Sequence, residues 1–226
     1  MKRLIDIVLS AVALISTIPL LLPIVVMLRF TGEGQVFYVQ RRVGRNGRLF
    51  PLLKFTTMVK DSEKLSTGLI TTKSDSRVLP VGRILRRLKI NEIPQIMNVL
   101  KGDMSIVGPR PQVREHFDVF PEHVKKEIVK ARPGLTGIGS IVFRDEERIM
   151  AESKLGYEET YKELIAPYKG ELELWYIRNQ SVLLDLILIG LTAWVILFPE
   201  SNIYNYVLKE LPYVKREVAA GLAVEL

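Results

Sequence analysis

The sequence predicts an α+β monotopic membrane protein. An N-terminal re-entrant helix fills residues 1–30, and a mostly helical domain with a small antiparallel β element fills 31–226. Three observations carry this reading. The first thirty residues are apolar with basic residues on both flanks, an Asn-Gly turn separates two short apolar-aromatic runs, and helical periodicities dominate the remainder.

From Leu4 to Leu28 the run LIDIVLSAVALISTIPLLLPIVVML is almost wholly apolar. It exceeds the roughly 20 residues that a bilayer crossing needs. A secretory signal fits poorly, because the run is too long and no small-residue cleavage site follows. Lys2 and Arg3 precede it, and Arg29, Arg41, Arg42, Arg45 and Arg48 follow it. A simple crossing would place its basic flank on the cytoplasmic side only. Pro19 and Pro23 each remove a backbone donor in mid-segment and favour a kink. A helix that enters the membrane, breaks near Ile18-Pro19 and returns to the same face satisfies both facts.

Beyond Phe30, Asn46-Gly47 is a strong hairpin signal, which predicts an antiparallel pair over 35–41 and 48–56. Residues 62–80 are polar and predict a loop. In VGRILRRLKI, Val81, Ile84, Leu85 and Leu88 fall at helical spacing among four basic residues. In NEIPQIMNVLKG, Ile93, Ile96, Met97 and Leu100 repeat the pattern, with Asn91 as a cap and Gly102 as a stop. Residues 103–111 predict an apolar run ending in a Gly-Pro-Arg-Pro turn, and 121–131 a charged helix. RPGLTGIGSIVF predicts a Gly-rich turn and then a strand. Residues 145–168 predict charged helix, and 181–198 a buried or interfacial apolar helix containing Asp185.

The chain carries 48% hydrophobic residues and a positive mean hydropathy, together with a net charge of +7. Basic excess admits phosphorylated substrates, anionic lipid or nucleic acid. Without a recognition-helix or aromatic-platform pattern, nucleic acid is not expected. The absence of cysteine excludes thiolate catalysis, disulfides and Cys-zinc sites, and His116 and His123 are the only histidines. Any metal would therefore be a hard ion with oxygen ligands.

Several residues could then serve phosphate chemistry. A helix starting at Asn91-Glu92 would aim backbone N–H groups at an anion. Arg110, set between Pro109 and Pro111, is suited to bidentate phosphate contact, and Glu92 and Asp103 could hold magnesium. Each has a plain alternative: cap for Asn91, salt bridge for Arg110, turn residue for Asp103.

KINEIPQIMNVLKGDMSIVGPRP resembles the core signature of the bacterial sugar transferases, the monotopic polyprenyl-phosphate phosphoglycosyl transferases. FYVQRRVGRNGRLFPLLKFTTM, RPGLTG and the proline-containing apolar N-terminus extend the resemblance over about residues 1–145. It implies transfer of a sugar-1-phosphate from a nucleotide diphosphate sugar to polyprenyl phosphate, with magnesium, at the cytoplasmic face of the bacterial inner membrane. A nucleoside monophosphate leaves, and glycan assembly begins. Expected partners are those two substrates and membrane lipids, with a homodimer compatible. Glu92 and Asn91 become the catalytic candidates, Glu92 and Asp103 the metal ligands, and Arg110, Lys54, Arg41 and Arg144 the phosphate contacts. Pro19 marks the membrane kink, where the family's Ser-Pro pair is here Ile18-Pro19.

The family attacks the β-phosphate with the Asp of an Asp-Glu dyad, and that position is Asn91 here. An amide has a delocalised nitrogen lone pair and an uncharged oxygen, so it is a poor nucleophile, though it can still cap a helix or bind phosphate. Four explanations compete at this point. Glu92 is the nucleophile and Asn91 orients substrate; the lipid phosphate attacks directly; the substitution was engineered to trap substrate; or the chain is a binding or regulatory relative.

Overall fold

The computed structural model describes residues 1–31, 34–62, 75–144, 146–153 and 155–212. The order of elements is α1 (Lys2–Phe30), β1 (Phe37–Val43), β2 (Leu49–Phe55), α2 (Pro80–Arg87), α3 (Ile96–Lys101) and β3 (Ser105–Val107). There follow α4 (Arg114–Asp118), α5 (Glu122–Ile128), β4 (Gly134–Thr136), α6 (Ile138–Val142), α7 (Glu146–Glu152), α8 (Tyr157–Thr160), α9 (Ala166–Asn179), α10 (Val182–Leu197) and α11 (Tyr204–Val207). The fold is thus mostly helical with small sheets, β1 pairing with β2 and β3 with β4. The chain divides into two compact units, one of Met1–Arg41 and Pro51–Ile106, the other of Arg42–Phe50 and Val107–Leu226.

In the first unit, α1 is the one helix among the described residues long and apolar enough to cross a bilayer. It stays helical through Pro19 and Pro23, so the expected break at Ile18-Pro19 is absent. Each proline removes one amide donor and crowds the carbonyl four residues before it, yet its fixed φ is helical, so the helix can continue past it with a bend. Thr17 Oγ1 donates to the Ala13 carbonyl at 2.7 Å just before the first proline. Leu4, Val8, Val12, Ile15, Leu20, Leu22 and Val26 remain exposed, which leaves an apolar surface in need of cover.

Both ends of α1 are nevertheless anchored within this unit. Arg3 donates through Nη1 to the Val99 carbonyl at 2.6 Å and through Nη2 to that of Leu100 at 2.9 Å. These are last-turn carbonyls of α3, beyond the reach of the regular helical ladder, and that of Val99 also accepts the Gly102 amide at 3.0 Å. Buried Asp6 accepts from Ser105 Oγ and from the Ile106 amide, both at 3.0 Å. At the far end, Ile24 and Leu28 bury against Phe55 and Leu85. A straight helix of 29 residues is about 43 Å long and would carry its ends to opposite sides of a bilayer. Ends resting on one unit are consistent with a monotopic membrane domain.

The hairpin forms as its turn dipeptide demands. Asn46 and Gly47 both adopt positive φ, 57° and 71°, and the strands begin and end one or two residues from the expected positions. α2 matches the predicted basic amphipathic helix, with Leu85 buried and Arg86 and Arg87 in its last turn. The polar loop predicted over 62–80 falls largely outside the described residues.

In the second unit the predicted strand after RPGLTG is cut short. β4 spans only Gly134–Thr136, and Ile138–Val142 is helical and buried instead. Its apolar run was ambiguous between a buried strand and a buried helix. The charged stretch predicted as helix divides into α7, α8 and a π-helical turn, Tyr161–Ile165, that leads into α9. α10 is a short apolar helix as expected. It buries Leu184, Leu188, Leu191 and Val195 on one stripe and exposes Leu183, Leu186 and Leu197. Asp185, an acid in an apolar run, accepts from the Tyr176 hydroxyl at 2.7 Å.

Candidate active site

The stretch INEIPQ, Ile90–Gln95, forms a 3-10 turn rather than the first turn of an α-helix. Proline at 94 disfavours α geometry at the residue before it, so α3 starts only at Ile96. Lys89, in the left-handed region at φ 58°, occupies the cap position. Asn91 is therefore not a helix cap, contrary to the sequence expectation, and no side-chain cap bond is made there. Its side chain is buried, and its Oδ1 has no hydrogen-bond partner.

Glu92 differs from its neighbour. Its carboxylate is half-buried and lies 3.6 Å from the Lys54 ammonium, which β2 supplies. One strand and one turn of the first unit thus bring a carboxylate and a cation together, as a phosphate site with an acidic metal ligand requires.

Asn98, which sequence reasoning missed, holds that arrangement. Its Oδ1 accepts from the Leu53 amide at 3.0 Å, and its Nδ2 donates to the Pro51 carbonyl at 2.8 Å. Nδ2 also donates to Asp103 Oδ2 at 3.2 Å. One buried amide therefore ties the strand bearing Lys54 to the helix that follows Glu92. The available signal was an asparagine inside an apolar helix, where its intrinsic propensity is poor. Asp103 lies just past Gly102, the α3 stop at φ 96°, and its amide donates to the Asn98 carbonyl at 3.0 Å. Arg41 lies on the exposed side of β1 with Phe37 and Val39.

Arg110 and Arg144 belong to the second unit. The turn bearing Arg110 is fixed by backbone pairing, the Gly108 amide donating to Thr136 at 3.0 Å and the Gly134 amide to Pro109 at 2.8 Å. A β-carbon at Gly134 would fall 2.1 Å from the Gly108 nitrogen, so this approach requires glycine. The Arg110 amide donates to Glu173 Oε1 at 3.1 Å, and its Nη1 donates to Ser140 Oγ at 3.3 Å. Arg144 is half-buried just after α6.

A set of buried ionisable groups surrounds this turn. Lys169 pairs with Glu146 at 2.6 Å and rests over the rings of Phe143 and Tyr161. Tyr161, in the π-helical turn, stacks on His116 with centroids 4.4 Å apart. Burial lowers the His116 pKa and raises that of the Tyr161 hydroxyl. Burial also pushes the Glu173 carboxyl up to about 7, opposed by the Arg110 amide and the Lys169 charge. Sequence reasoning singled out none of Lys169, Glu173 or Tyr161. Acids and lysines in charged helices usually face water, and only burial marks these as different.

Among the described residues no group of three or more His, Asp or Glu side chains is placed to hold a metal. A protein-only cage is thus absent there. Magnesium keeps waters and needs only one or two carboxylates beside substrate phosphate, and Glu92 fits that lesser requirement.

The family model for bacterial sugar transferases matches residues 1–199. The chain is 32% identical to the exopolysaccharide production protein ExoY of Sinorhizobium fredii, over 83% of this chain and 81% of that one. It is 34% identical to a UDP-N-acetylgalactosamine-undecaprenyl-phosphate N-acetylgalactosaminephosphotransferase of Aeromonas hydrophila, over 87% of this chain and 43% of the relative. It is 36% identical to a UDP-glucose:undecaprenyl-phosphate glucose-1-phosphate transferase of Xanthomonas campestris, over 85% and 38%. This chain belongs to the bacterial sugar transferase family.

Proposed function

We propose that this transferase moves a sugar-1-phosphate from a nucleotide diphosphate sugar to undecaprenyl phosphate, releasing a nucleoside monophosphate. The acceptor is taken from the names of its relatives, which share undecaprenyl phosphate but differ in sugar. The step opens glycan assembly, exopolysaccharide among its products, at the cytoplasmic face of the bacterial inner membrane. The single observation that carries the reading is the Glu92–Lys54 pair at 3.6 Å, on a unit anchored to an apolar helix.

In the proposed chemistry Lys54 binds diphosphate oxygens as a point charge. Arg110 meets diphosphate with its planar fork, and Arg41 and Arg144 add positive charge. Bound magnesium, held by Glu92 with Asp103 in support, would neutralise charge developing on the transferred phosphoryl group. Glu92 is also the nucleophile of a double displacement. Its carboxylate oxygen bonds to the β-phosphorus as the bond to the bridging oxygen breaks, and the nucleoside monophosphate takes that electron pair. An oxygen of the lipid phosphate then displaces Glu92 and carries off the phosphosugar. Asn91, uncharged and buried, orients the substrate.

The test uses nucleotide sugar labelled in the sugar, without lipid acceptor. Label retained on denatured protein, and absent from Glu92→Gln, is the expected result. Turnover without retained label would replace this route by direct attack of the lipid phosphate. The buried, unpartnered Asn91 Oδ1 also favours a second reading, a relative that binds nucleotide sugar or lipid phosphate but is catalytically impaired. Tight binding with no turnover of any nucleotide sugar would establish it.

A further inference from the structure

Glu173 is a carboxylate in the interior of α9, 2% exposed, and neither the transfer chemistry nor the core needs an acid there. Burying an acid is unfavourable unless something compensates. The nearby cation does not do so directly, because the Lys169 ammonium is engaged by Glu146 at 2.6 Å. Instead, Glu173 Oε1 accepts the backbone amide of Arg110 at 3.1 Å. Arg110 stands between two prolines, so its N–H is the sole amide donor in Pro109-Arg110-Pro111 and the sole backbone donor by which that tripeptide can be gripped. Room for the carboxylate is made by Gly139, where a β-carbon would fall 2.4 Å from Oε1. The other oxygen, Oε2, is buried with no hydrogen-bond partner.

We propose that Glu173 is a positioning residue, which grips the Arg110 amide and so presents the guanidinium to the diphosphate of the nucleotide sugar. This rests on the reading of Arg110 as a diphosphate contact. The grip depends on charge, since an ionised carboxylate accepts an N–H more strongly than a neutral one. Burial brings the carboxyl's titration to about 7, within the working range of a cytoplasmic protein. The groups facing it are the Arg110 and Lys169 cations and the phenols of Tyr161 and Tyr176, with Glu146 beyond Lys169.

The experiment measures UDP-glucose binding with magnesium to the full chain in lipid nanodiscs, by calorimetry at pH 6 and pH 8. The diphosphate diester of this probe does not titrate in that window. Arg110→Ala should weaken binding by about tenfold, the loss of one charge-assisted contact. The native protein should bind several-fold more tightly at pH 8 than at pH 6. Glu173→Gln, which keeps an acceptor oxygen of the same shape, should bind equally at both pH values and match the native protein at pH 6. A mere packing role would not produce that pH difference. An unaltered affinity in Arg110→Ala would overturn the underlying reading of Arg110. Weak binding in Arg110→Ala, with Glu173→Gln following the native protein at both pH values, would overturn the role of Glu173 alone.

Discussion

Replacing Asn98 by Asp changes one NH2 group into an oxygen and leaves the shape intact. That group donates to the Pro51 carbonyl at 2.8 Å and to Asp103 Oδ2 at 3.2 Å. In the variant two acceptors face a third, and one of them is a second carboxylate. At 3.2 Å and an effective dielectric of 20 the carboxylate pair alone repels by about 5 kcal/mol. Protonating the new carboxyl restores a donor and caps the penalty. From an ordinary Asp pKa of about 3.9, that protonation costs about 4 kcal/mol at pH 7 and about 1.5 kcal/mol at pH 5. The variant should therefore lose about 4 kcal/mol of stability at pH 7 and recover more than half of the loss at pH 5. Asn98→Ala removes donor and acceptor alike, orphans the Leu53 amide and the Pro51 carbonyl, and should lose about 2–6 kcal/mol equally at both pH values. Denaturant unfolding of the detergent-solubilised chain reads both. An Asn98→Asp penalty below about 0.5 kcal/mol, or one unchanged by pH, would refute the amide orientation and the strand-to-helix tie built on it.

Glu92→Gln should lower nucleoside monophosphate release by at least about 100-fold while leaving the unfolding transition in place, because the side chain is half-buried and glutamine keeps its shape. Asp6→Ala should cost about 3 kcal/mol by orphaning Ser105 Oγ and the Ile106 amide, and limited proteolysis should then release α1 from its unit. The Glu173 carboxyl, raised in the folded protein from 4.5 to about 7, binds its proton more tightly there than in the unfolded chain. Its contribution to stability is complete below pH 4.5 and lost as pH rises through about 7, a loss of about 3 kcal/mol that Glu173→Gln should abolish.

The sequence conveyed those features that local chemistry decides. Asn46-Gly47 could make only a tight turn with positive φ, Gly102 ended α3 in the left-handed region, and the apolar α1 and α10 runs were too long for strands. It misled where one residue altered a familiar pattern. Pro94 turned an expected helix start into a 3-10 turn, which removed the cap from Asn91, while helical geometry continues on both sides of Pro19. Ile138–Val142 formed a helix because a short apolar run carries no period that separates strand from helix. Glu92 and Lys54 were legible as candidates from their residue types and surroundings, whereas their pairing was not. Asn98 and Glu173 escaped notice because their importance lies in backbone groups they serve at a distance of many residues. No composition or spacing rule reports an amide awaiting a partner.

The most direct test of the account is nucleoside monophosphate release by the native chain, Asn91→Asp and Glu92→Gln side by side. Each is given a panel of nucleotide diphosphate sugars, undecaprenyl phosphate and magnesium. The native chain should release monophosphate with one sugar of the panel, and Glu92→Gln should not. Release by Asn91→Asp alone, with the native chain silent on every sugar, would contradict the claim that Glu92 sustains transfer with an amide at position 91.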